Sequence, residues 1–222
     1  MGFLAKVGTI LWKDLRAELR TKDILTSMFV FAFLVIVIFN FAFELQRLEP
    51  EAIAPGVLWV AFTFAGVLGL NRSFVLEKDK GCLEGLMLCP VDRGAIYLAK
   101  MMGNIIFILL MEAIALPLFL ALSNLPLPWE LLPILLLGTV GFAGVGTLFA
   151  AISVNTRTRE VMLPLLLFPV IVPVIIAAVK ATGVVFAGGS LREASGWLNL
   201  LISFDAIFLV VAFITFEYVL EE

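Results

Sequence analysis

The chain has 222 residues, of which 62% are hydrophobic and 15% are charged, and its mean hydropathy is +1.12. Soluble domains use about 45–50% apolar residues, so this composition excludes an ordinary soluble protein and indicates a membrane protein. The formal net charge of −3 argues against a nucleic-acid partner, because such a partner requires a basic surface. The apolar runs have the length of spanning helices and lack the alternation of barrel strands, so we expect an all-α integral membrane protein.

The first segment predicts an amphipathic helix. We expect residues 1–23 to lie in the cytoplasmic interface, with the apolar face in lipid and the cationic face toward anionic headgroups. A helix that binds a soluble partner is the alternative. The apolar positions are Leu4, Val7, Leu11, Leu15 and Leu19, and the cations between them are Lys6, Lys13, Arg16 and Arg20.

Six transmembrane helices follow in the prediction, and together with the first segment they form one membrane domain over residues 1–222. The expected spans are 24–43, 54–73, 95–122, 130–152, 161–181 and 197–219. Gly183, Gly188 and Gly189 interrupt the helical pattern before the last span, and a short re-entrant or surface helix there is an option. Small residues on the second and fourth spans predict close helix packing. They are Ala61, Ala65 and Gly69, and Gly138, Gly141, Gly144 and Gly146.

The distribution of Lys and Arg predicts the orientation of the chain. Twelve of these residues fall on one side of the expected spans and three on the other, and the richer side is cytoplasmic by the positive-inside rule. We therefore expect a multi-pass protein of the cell (inner) membrane with both termini in the cytoplasm. The twelve are Lys6, Lys13, Arg16, Arg20, Lys22, Arg72, Lys78, Lys80, Arg93, Lys100, Arg157 and Arg159; the three are Arg47, Lys180 and Arg192.

Several kinds of chemistry are missing from the sequence. The chain has no His, which excludes a Ser-His-Asp triad, an HExxH zinc site or haem ligation by His of this chain. It also has no GxxxxGK[ST] phosphate loop, so ATP would have to be bound by another chain. Cys82 and Cys89 lack further ligands for a metal, and on one helix face they would be too far apart for a disulfide. We expect them to be buried contact residues of a protein that is not an enzyme.

Two carboxyl residues fall within the expected spans, Glu112 in the third and Asp205 in the sixth. An ionisable side chain at the centre of a spanning helix costs about 2.5–3.5 kcal/mol on insertion scales. Both are therefore candidate intramembrane polar sites. They face a translocation path or a subunit contact, or they are protonated or hydrogen-bonded structural residues.

The segment 74–94 predicts a cytoplasmic loop that contains a short helix. An apolar stripe of Leu83, Leu86, Met87 and Leu88 begins after Gly81 and ends at Pro90. Asp92 stands where an N-cap is needed before the third span, and we expect its side chain to accept from the first N–H groups of that helix. We expect a stiff surface with its leucines available to a partner's groove.

This loop resembles the first cytoplasmic loop of ABC-2-type export permeases, including the coupling helix that docks on the nucleotide-binding subunit. A second segment is similar to the opening of the second span in one branch of that superfamily, the CcmB family of cytochrome c maturation. The loop pattern resembles the ABC-2-type superfamily as a whole. The second segment narrows the resemblance to the CcmB family. Cys82 and Gly85 depart from the usual loop pattern. The loop residues are Glu77, Gly81, Leu83, Glu84, Leu86, Pro90, Arg93, Ile96, Ala99 and Lys100, and the second segment is Ala54, Pro55, Gly56, Val57, Leu58, Trp59, Val60 and Ala61.

The resemblance implies a type V exporter-like permease that pairs with a CcmA-like ATPase subunit and with CcmC-like and CcmD-like membrane subunits. It implies a dimer within the complex, ATP bound through the partner subunit, and an indirect link to a CcmE-like haem chaperone. Haem is then a substrate that the complex handles, and this chain alone binds no cofactor. Two alternatives stay open: a permease for a lipid, polysaccharide or drug, and an ion-driven transporter or channel that uses Glu112 and Asp205.

Overall fold

The structure is a computed structural model that describes residues 2–44, 50–79, 81–154, 156 and 158–219. For residues 43, 44, 50, 76, 77, 79, 83, 84, 87 and 159, only the backbone is described. In this part of the chain the regular elements are all α-helices. They are α1 (Phe3–Thr21), α2 (Asp23–Glu44), α3 (Pro50–Asp79), α4 (Cys82–Met87), α5 (Arg93–Ser123), α6 (Leu131–Val154), α7 (Arg159–Phe186) and α8 (Ser195–Val219).

Six of these helices are long and apolar enough to cross a membrane, namely α2, α3, α5, α6, α7 and α8. Their apolar segments are 20 to 31 residues long, and a bilayer core requires about 20 residues of helix. The prediction of an all-α, multi-pass membrane protein with six spans is therefore confirmed.

Two helices extend beyond the predicted boundaries. Helix α3 continues to Asp79, so the first part of the expected loop 74–94 is helical. Its charged residues favour a helix that leaves the membrane over an immediate turn, since Glu and Lys are good helix formers. Helix α7 runs through Gly183 to Phe186, and the chain then turns at Gly188, where φ is +80°. Residues 187–194 form turns and not the additional helix that the sequence left open.

Helices α3 and α6 form the centre of the bundle. Of the most apolar stretch of each helix, 78% is buried in α6 and 72% in α3, whereas only 22% is buried in α2 and in α8. A Cβ atom added at Gly138 or Gly146 of α6 would overlap the side chains of Trp59 and Leu70 on α3. The predicted close packing at small residues is therefore confirmed for α6, where glycine lets large side chains of a neighbour reach the helix backbone.

One edge of the apolar face of α1 packs on the rest of the protein, and the other edge is exposed. Val7 and Ile10 are buried and α1 packs on α5, whereas Leu4 and Leu19 are 80% and 67% exposed. The sequence predicted that the whole apolar face would contact lipid. The structure instead leaves one edge of it exposed and packs the other edge on the bundle.

Helix α1, the short helix α4 and the end of α8 lie at the same end of the bundle. Lys6 of α1 contacts Asp92, and Arg93 at the start of α5 contacts the backbone of Glu217 near the end of α8. Most of the Lys and Arg residues counted on the predicted cytoplasmic side belong to this end. Arg47, Lys80 and Arg157, which the orientation argument also used, lie outside the described residues.

Candidate coupling site

The residues between α3 and α5 form a short projecting structure, here called the ledge (residues 81–92). Gly81 has φ +66°, a left-handed conformation that glycine adopts without the strain a side chain would add. Its N–H donates to the carbonyl of Lys78 at 2.9 Å, and the N–H of Gly85 donates to the carbonyl of Gly81 at 3.1 Å. The chain therefore passes from the end of α3 into α4 within one turn.

The two leucines of the ledge that the structure describes in full differ in burial. Leu88 is 89% exposed, while Leu86 is partly buried and packs against the apolar core. An exposed leucine outside a membrane span is a candidate contact for another protein. Leu88 is thus available to a partner, and Leu86 fixes the ledge to the bundle.

The ledge and the start of α5 contact both ends of the described chain. Lys6 Nζ donates to the carbonyl of Pro90 at 3.0 Å and to Asp92 Oδ2 at 3.3 Å. Arg93 Nη1 donates to the carbonyl of Glu217 at 3.0 Å. A displacement of the ledge would therefore act on α1 and α8 as well as on α3 and α5.

The prediction that the Asp92 side chain caps α5 is wrong. Asp92 holds the N-cap position with extended backbone, but among the described residues its carboxylate makes no cap hydrogen bond. The carboxylate is directed to Lys6 instead. The carbonyl of Asp92 accepts from the N–H groups of Ala95 and Ile96 at 2.9 and 3.3 Å.

The two cysteines also differ from expectation. Both are exposed in the single chain, and their burial at a contact with another protein stays a prediction. Helix α4 ends at Met87, and Cys89 therefore does not share a helix face with Cys82. The Cys89 thiol donates to the carbonyl of Gly85 at 3.4 Å.

The structure places three of the predicted coupling residues in the ledge, Gly81, Leu86 and Pro90, and a fourth, Arg93, next to it at the start of α5. Glu77 lies in the last turns of α3, and Leu83 and Glu84 lie in α4. The side chains of these three are outside the described part of the structure.

A buried ion pair lies behind the ledge. Lys100 Nζ donates to Asp14 Oδ2 at 2.8 Å, and their side chains are 2% and 12% exposed. Lys13 is 3.0 Å from the other oxygen of Asp14, and the Lys100 ammonium is 5.9 Å from the centre of the Phe74 ring. A cavity of about 230 Å3 adjoins these residues between α1, the start of α2, α3, α5 and the ledge, with Cys82 in its wall.

Glu18 joins α1 to α2. It is 3% exposed, and its Oε1 accepts from the N–H of Leu25 at 2.9 Å in the first turn of α2. Burial raises the pKa of the Glu18 carboxyl, and the hydrogen bonds from Leu25 and Ile24 oppose that shift. Glu18 thus satisfies an N–H group that the start of α2 would otherwise leave unpaired.

The segment Ala54–Trp59 lies in α3, away from the ledge. Ala54, Val57, Leu58 and Trp59 are buried. Trp59 Nε1 donates to Thr182 Oγ1 of α7 at 2.9 Å, and the indole ring packs on Gly138 of α6. This segment therefore packs α3 against α6 and α7.

The two intramembrane carboxyl residues, Glu112 of α5 and Asp205 of α8, pack against different faces of α6. Glu112 is 3% exposed, and its Oε1 accepts from Thr139 Oγ1 at 2.8 Å. Asp205 is 6% exposed and packs against Gly141. Within the described residues, Glu112 Oε2 and both oxygens of Asp205 have no hydrogen-bond partner. Residues 139 and 141 are about 200° apart around a helix, so the two carboxyls are not brought together.

Two residues of this region did not emerge from the sequence as members of one site: Lys6 and Asp14. Asp14 lies among the cations of α1, and Lys6 looked like one of several headgroup contacts. Their partners Lys100 and Asp92 are more than 80 residues away. Only the buried position of Lys100 at the start of a span signals a need for an acidic partner, because a buried charge is costly unless it is paired.

In the described residues, no group of three or more His, Cys, Asp or Glu side chains is arranged to hold a metal ion. The chemical features of the ledge end are those of a contact surface: a projecting helix, an exposed leucine and ties to neighbouring helices.

Comparison with known proteins identifies the family. The model of the CcmB protein family matches residues 5–221. A heme exporter protein B from Rhodobacter capsulatus is 33% identical over 169 residues, which is 75% of this chain and 78% of the relative. A heme exporter protein B from Pseudomonas aeruginosa is 30% identical over 205 residues, 91% of this chain and 90% of the relative. The chain therefore belongs to the CcmB family.

Proposed function

We propose that the chain is the membrane permease subunit of an ABC transporter that handles haem in cytochrome c maturation. The supporting observation is the family match over nearly the whole chain, with relatives named heme exporter protein B. In this proposal residues 1–222 are one membrane domain. Haem is the cargo of the complex, and no His of this chain is available to ligate it.

The ledge is the proposed coupling site for a separate ATPase subunit. The chain has no phosphate loop, so the energy of ATP hydrolysis must enter through a contact. The ledge is suited to that contact because it joins two long helices and exposes Leu88 directly after α4. Movement of the ledge would be passed directly to α3 and α5, and through Lys6 and Arg93 to α1 and α8.

The proposed assembly contains two copies of this chain, a CcmA-like ATPase, and CcmC-like and CcmD-like membrane subunits, with a CcmE-like haem chaperone as an indirect partner. We place it in the inner membrane with both termini and the ledge in the cytoplasm. The concentration of Lys and Arg at the ledge end supports this orientation by the positive-inside rule.

Deletion and complementation test the proposed function. We expect a strain that lacks the gene to lose covalently haem-stained c-type cytochromes, and a tagged copy to restore them and to copurify with a P-loop ATPase. Normal cytochrome c in the deletion strain would contradict the haem assignment and favour an exporter of a lipid, polysaccharide or drug. Ion flux into vesicles that contain this chain alone would instead favour an ion-driven transporter.

A further inference from the structure

Glu112 adjoins a small cavity at the middle of the bundle. The cavity lies where α3, α5, α6 and α7 meet, and its walls include Trp59, Thr63, Glu112 and Thr139. Thr139 is the ninth residue of the 24-residue helix α6, about 12 Å along its axis at 1.5 Å per residue. The carboxyl group is therefore far from both ends of the span.

The two oxygens of this carboxyl have different surroundings. Oε1 accepts from the Thr139 hydroxyl at 2.8 Å, whereas Oε2 has no hydrogen-bond partner in the described part of the chain. A neutral carboxylic acid has one carbonyl oxygen that accepts and one hydroxyl that donates. The contacts match that division, with Oε1 as the carbonyl and Oε2 as the hydroxyl.

No charged group is in place to stabilise an ionised carboxylate. The described residues that line the cavity, on α3, α5, α6 and α7, include no Asp, Glu, Lys or Arg besides Glu112 itself. An isolated charge is strongly disfavoured in such surroundings, and a buried carboxyl usually takes up a proton.

The size of the cavity suits one water molecule. Its volume is about 10 Å3, close to the lower limit of roughly 10–15 Å3 for a buried water. Such a water also requires polar partners, and Glu112, Thr139 and Thr63 supply oxygen atoms from three different helices.

We propose that Glu112 is a proton-binding site at the centre of the membrane domain. Its neutral carboxyl accepts from Thr139 through Oε1 and donates from Oε2–H to one water in the cavity between α3, α5, α6 and α7. The bound proton exchanges with solvent through that water. The site depends on the local contacts alone and is independent of the substrate that the complex handles.

Infrared spectroscopy of the purified full chain, in a detergent without ester groups, tests the site. We expect a carboxylic-acid C=O band that is absent in Glu112→Gln, moves to higher frequency in Thr139→Val, and shifts after incubation in D2O. Asp205→Asn is the matched control, since it removes the other intramembrane carboxyl from the opposite face of α6 and leaves the Glu112 band in place.

Two results would overturn the proposal. If the spectrum of the wild type contains no acid band that depends on Glu112 or responds to Thr139→Val, the carboxyl is ionised. If the band is present and does not respond to D2O, the proton is not exchangeable and the site is a static hydrogen bond. Should Glu112→Gln fail to fold, the Thr139→Val shift and the D2O shift decide the question.

Discussion

Lys100 of the first long span after the ledge donates a hydrogen bond at 2.8 Å to Asp14 of the interfacial helix. The ammonium group is almost completely buried, at 2% exposure, and the carboxylate nearly so, at 12%. Because the pair joins α1 to α5 next to the ledge, it links two of the four helices to which the proposed mechanism passes a movement of the ledge. Helix α1 is thus part of the proposed coupling machinery as well as the predicted interfacial helix.

Replacement of Lys100 by Ala would remove the deeply buried cation that pairs with Asp14 and would leave Lys13, 3.0 Å from the other carboxylate oxygen, in place. Removing one member of a buried pair costs about 3–5 kcal/mol, and in a chain of this size each kcal/mol lowers Tm by about 2–4 °C. We expect Tm in detergent to fall by roughly 6–12 °C for a loss of about 3 kcal/mol. Lys13→Ala is the control, since its side chain is 46% exposed and exposed pairs contribute about 0–1 kcal/mol. Equal Tm values for the two variants would contradict the role of the buried pair.

Glu18→Gln and Glu18→Ala separate the hydrogen bond of Glu18 from its charge. Gln retains an acceptor for the N–H of Leu25, so we expect Glu18→Gln to unfold at or above the wild-type Tm at neutral pH. Ala leaves that N–H unpaired and should cost about 1–2 kcal/mol, the usual value for a lost helix cap. Thermal unfolding in detergent measures both effects.

The pH dependence of the Glu18 contribution has a definite sign. Burial raises the pKa of Glu18, so the folded protein holds this proton more tightly than the unfolded chain. The stability that protonation contributes is present at low pH and is lost as pH rises through the raised pKa. Relative to Glu18→Gln, the wild type should therefore lose Tm as pH rises. A difference that stays constant with pH would show that Glu18 has the same pKa in both states.

We expect substitutions of the two ledge leucines, Leu86 and Leu88, to cause different defects in the protein. Leu88→Asp changes an exposed side chain, so we expect normal insertion and Tm, but at least a tenfold loss of haem-stained cytochrome c in complementation. Leu86→Asp places a carboxylate against the core and should lower Tm as well. Charge reversal at Glu84 in α4 should also uncouple the ATPase while the protein still inserts. Normal ATPase copurification and normal cytochrome yield in all three variants would exclude the ledge as the coupling site.

The close packing at Gly138 of α6 leads to a further prediction about stability. A Cβ atom at Gly138 would overlap the Trp59 ring, and overpacking of a core typically costs about 1–3 kcal/mol. We expect Gly138→Ala to lower Tm by about 2–12 °C at 2–4 °C per kcal/mol. Gly196→Ala, also in a helix but with open space at its Cβ position, should leave Tm unchanged or raise it. A neutral Gly138→Ala would show that Trp59 can move without cost.

Hydrophobic run length was sufficient to predict the six spans and the all-helical fold, because a bilayer leaves few alternatives for a backbone. The helix ends were less predictable. Pro55 lies inside α3 and Gly183 inside α7, although both residues usually mark boundaries. Neighbouring helices hold these segments helical, which composition alone does not reveal.

The candidate site was predicted in its position but not in its contacts. The family pattern placed the ledge between the second and third spans, where the structure has α4. The pattern did not distinguish the inward Leu86 from the outward Leu88, because that depends on how the ledge lies against the bundle. It also did not pair Lys6 with Asp92, or Asp14 with Lys100, since these contacts connect residues distant in sequence.

Site-specific photo-crosslinking from the ledge tests the central claim most directly. A photoreactive amino acid in place of Leu88, in cells that express the whole complex, would be irradiated and its adducts identified by mass spectrometry. The same probe in place of Leu132, which is 56% exposed near the opposite end of the bundle, is the control. We expect a P-loop ATPase subunit to be crosslinked from position 88 and not from position 132. Adducts from position 88 that contain no ATPase, in cells that make normal amounts of that subunit, would contradict the account.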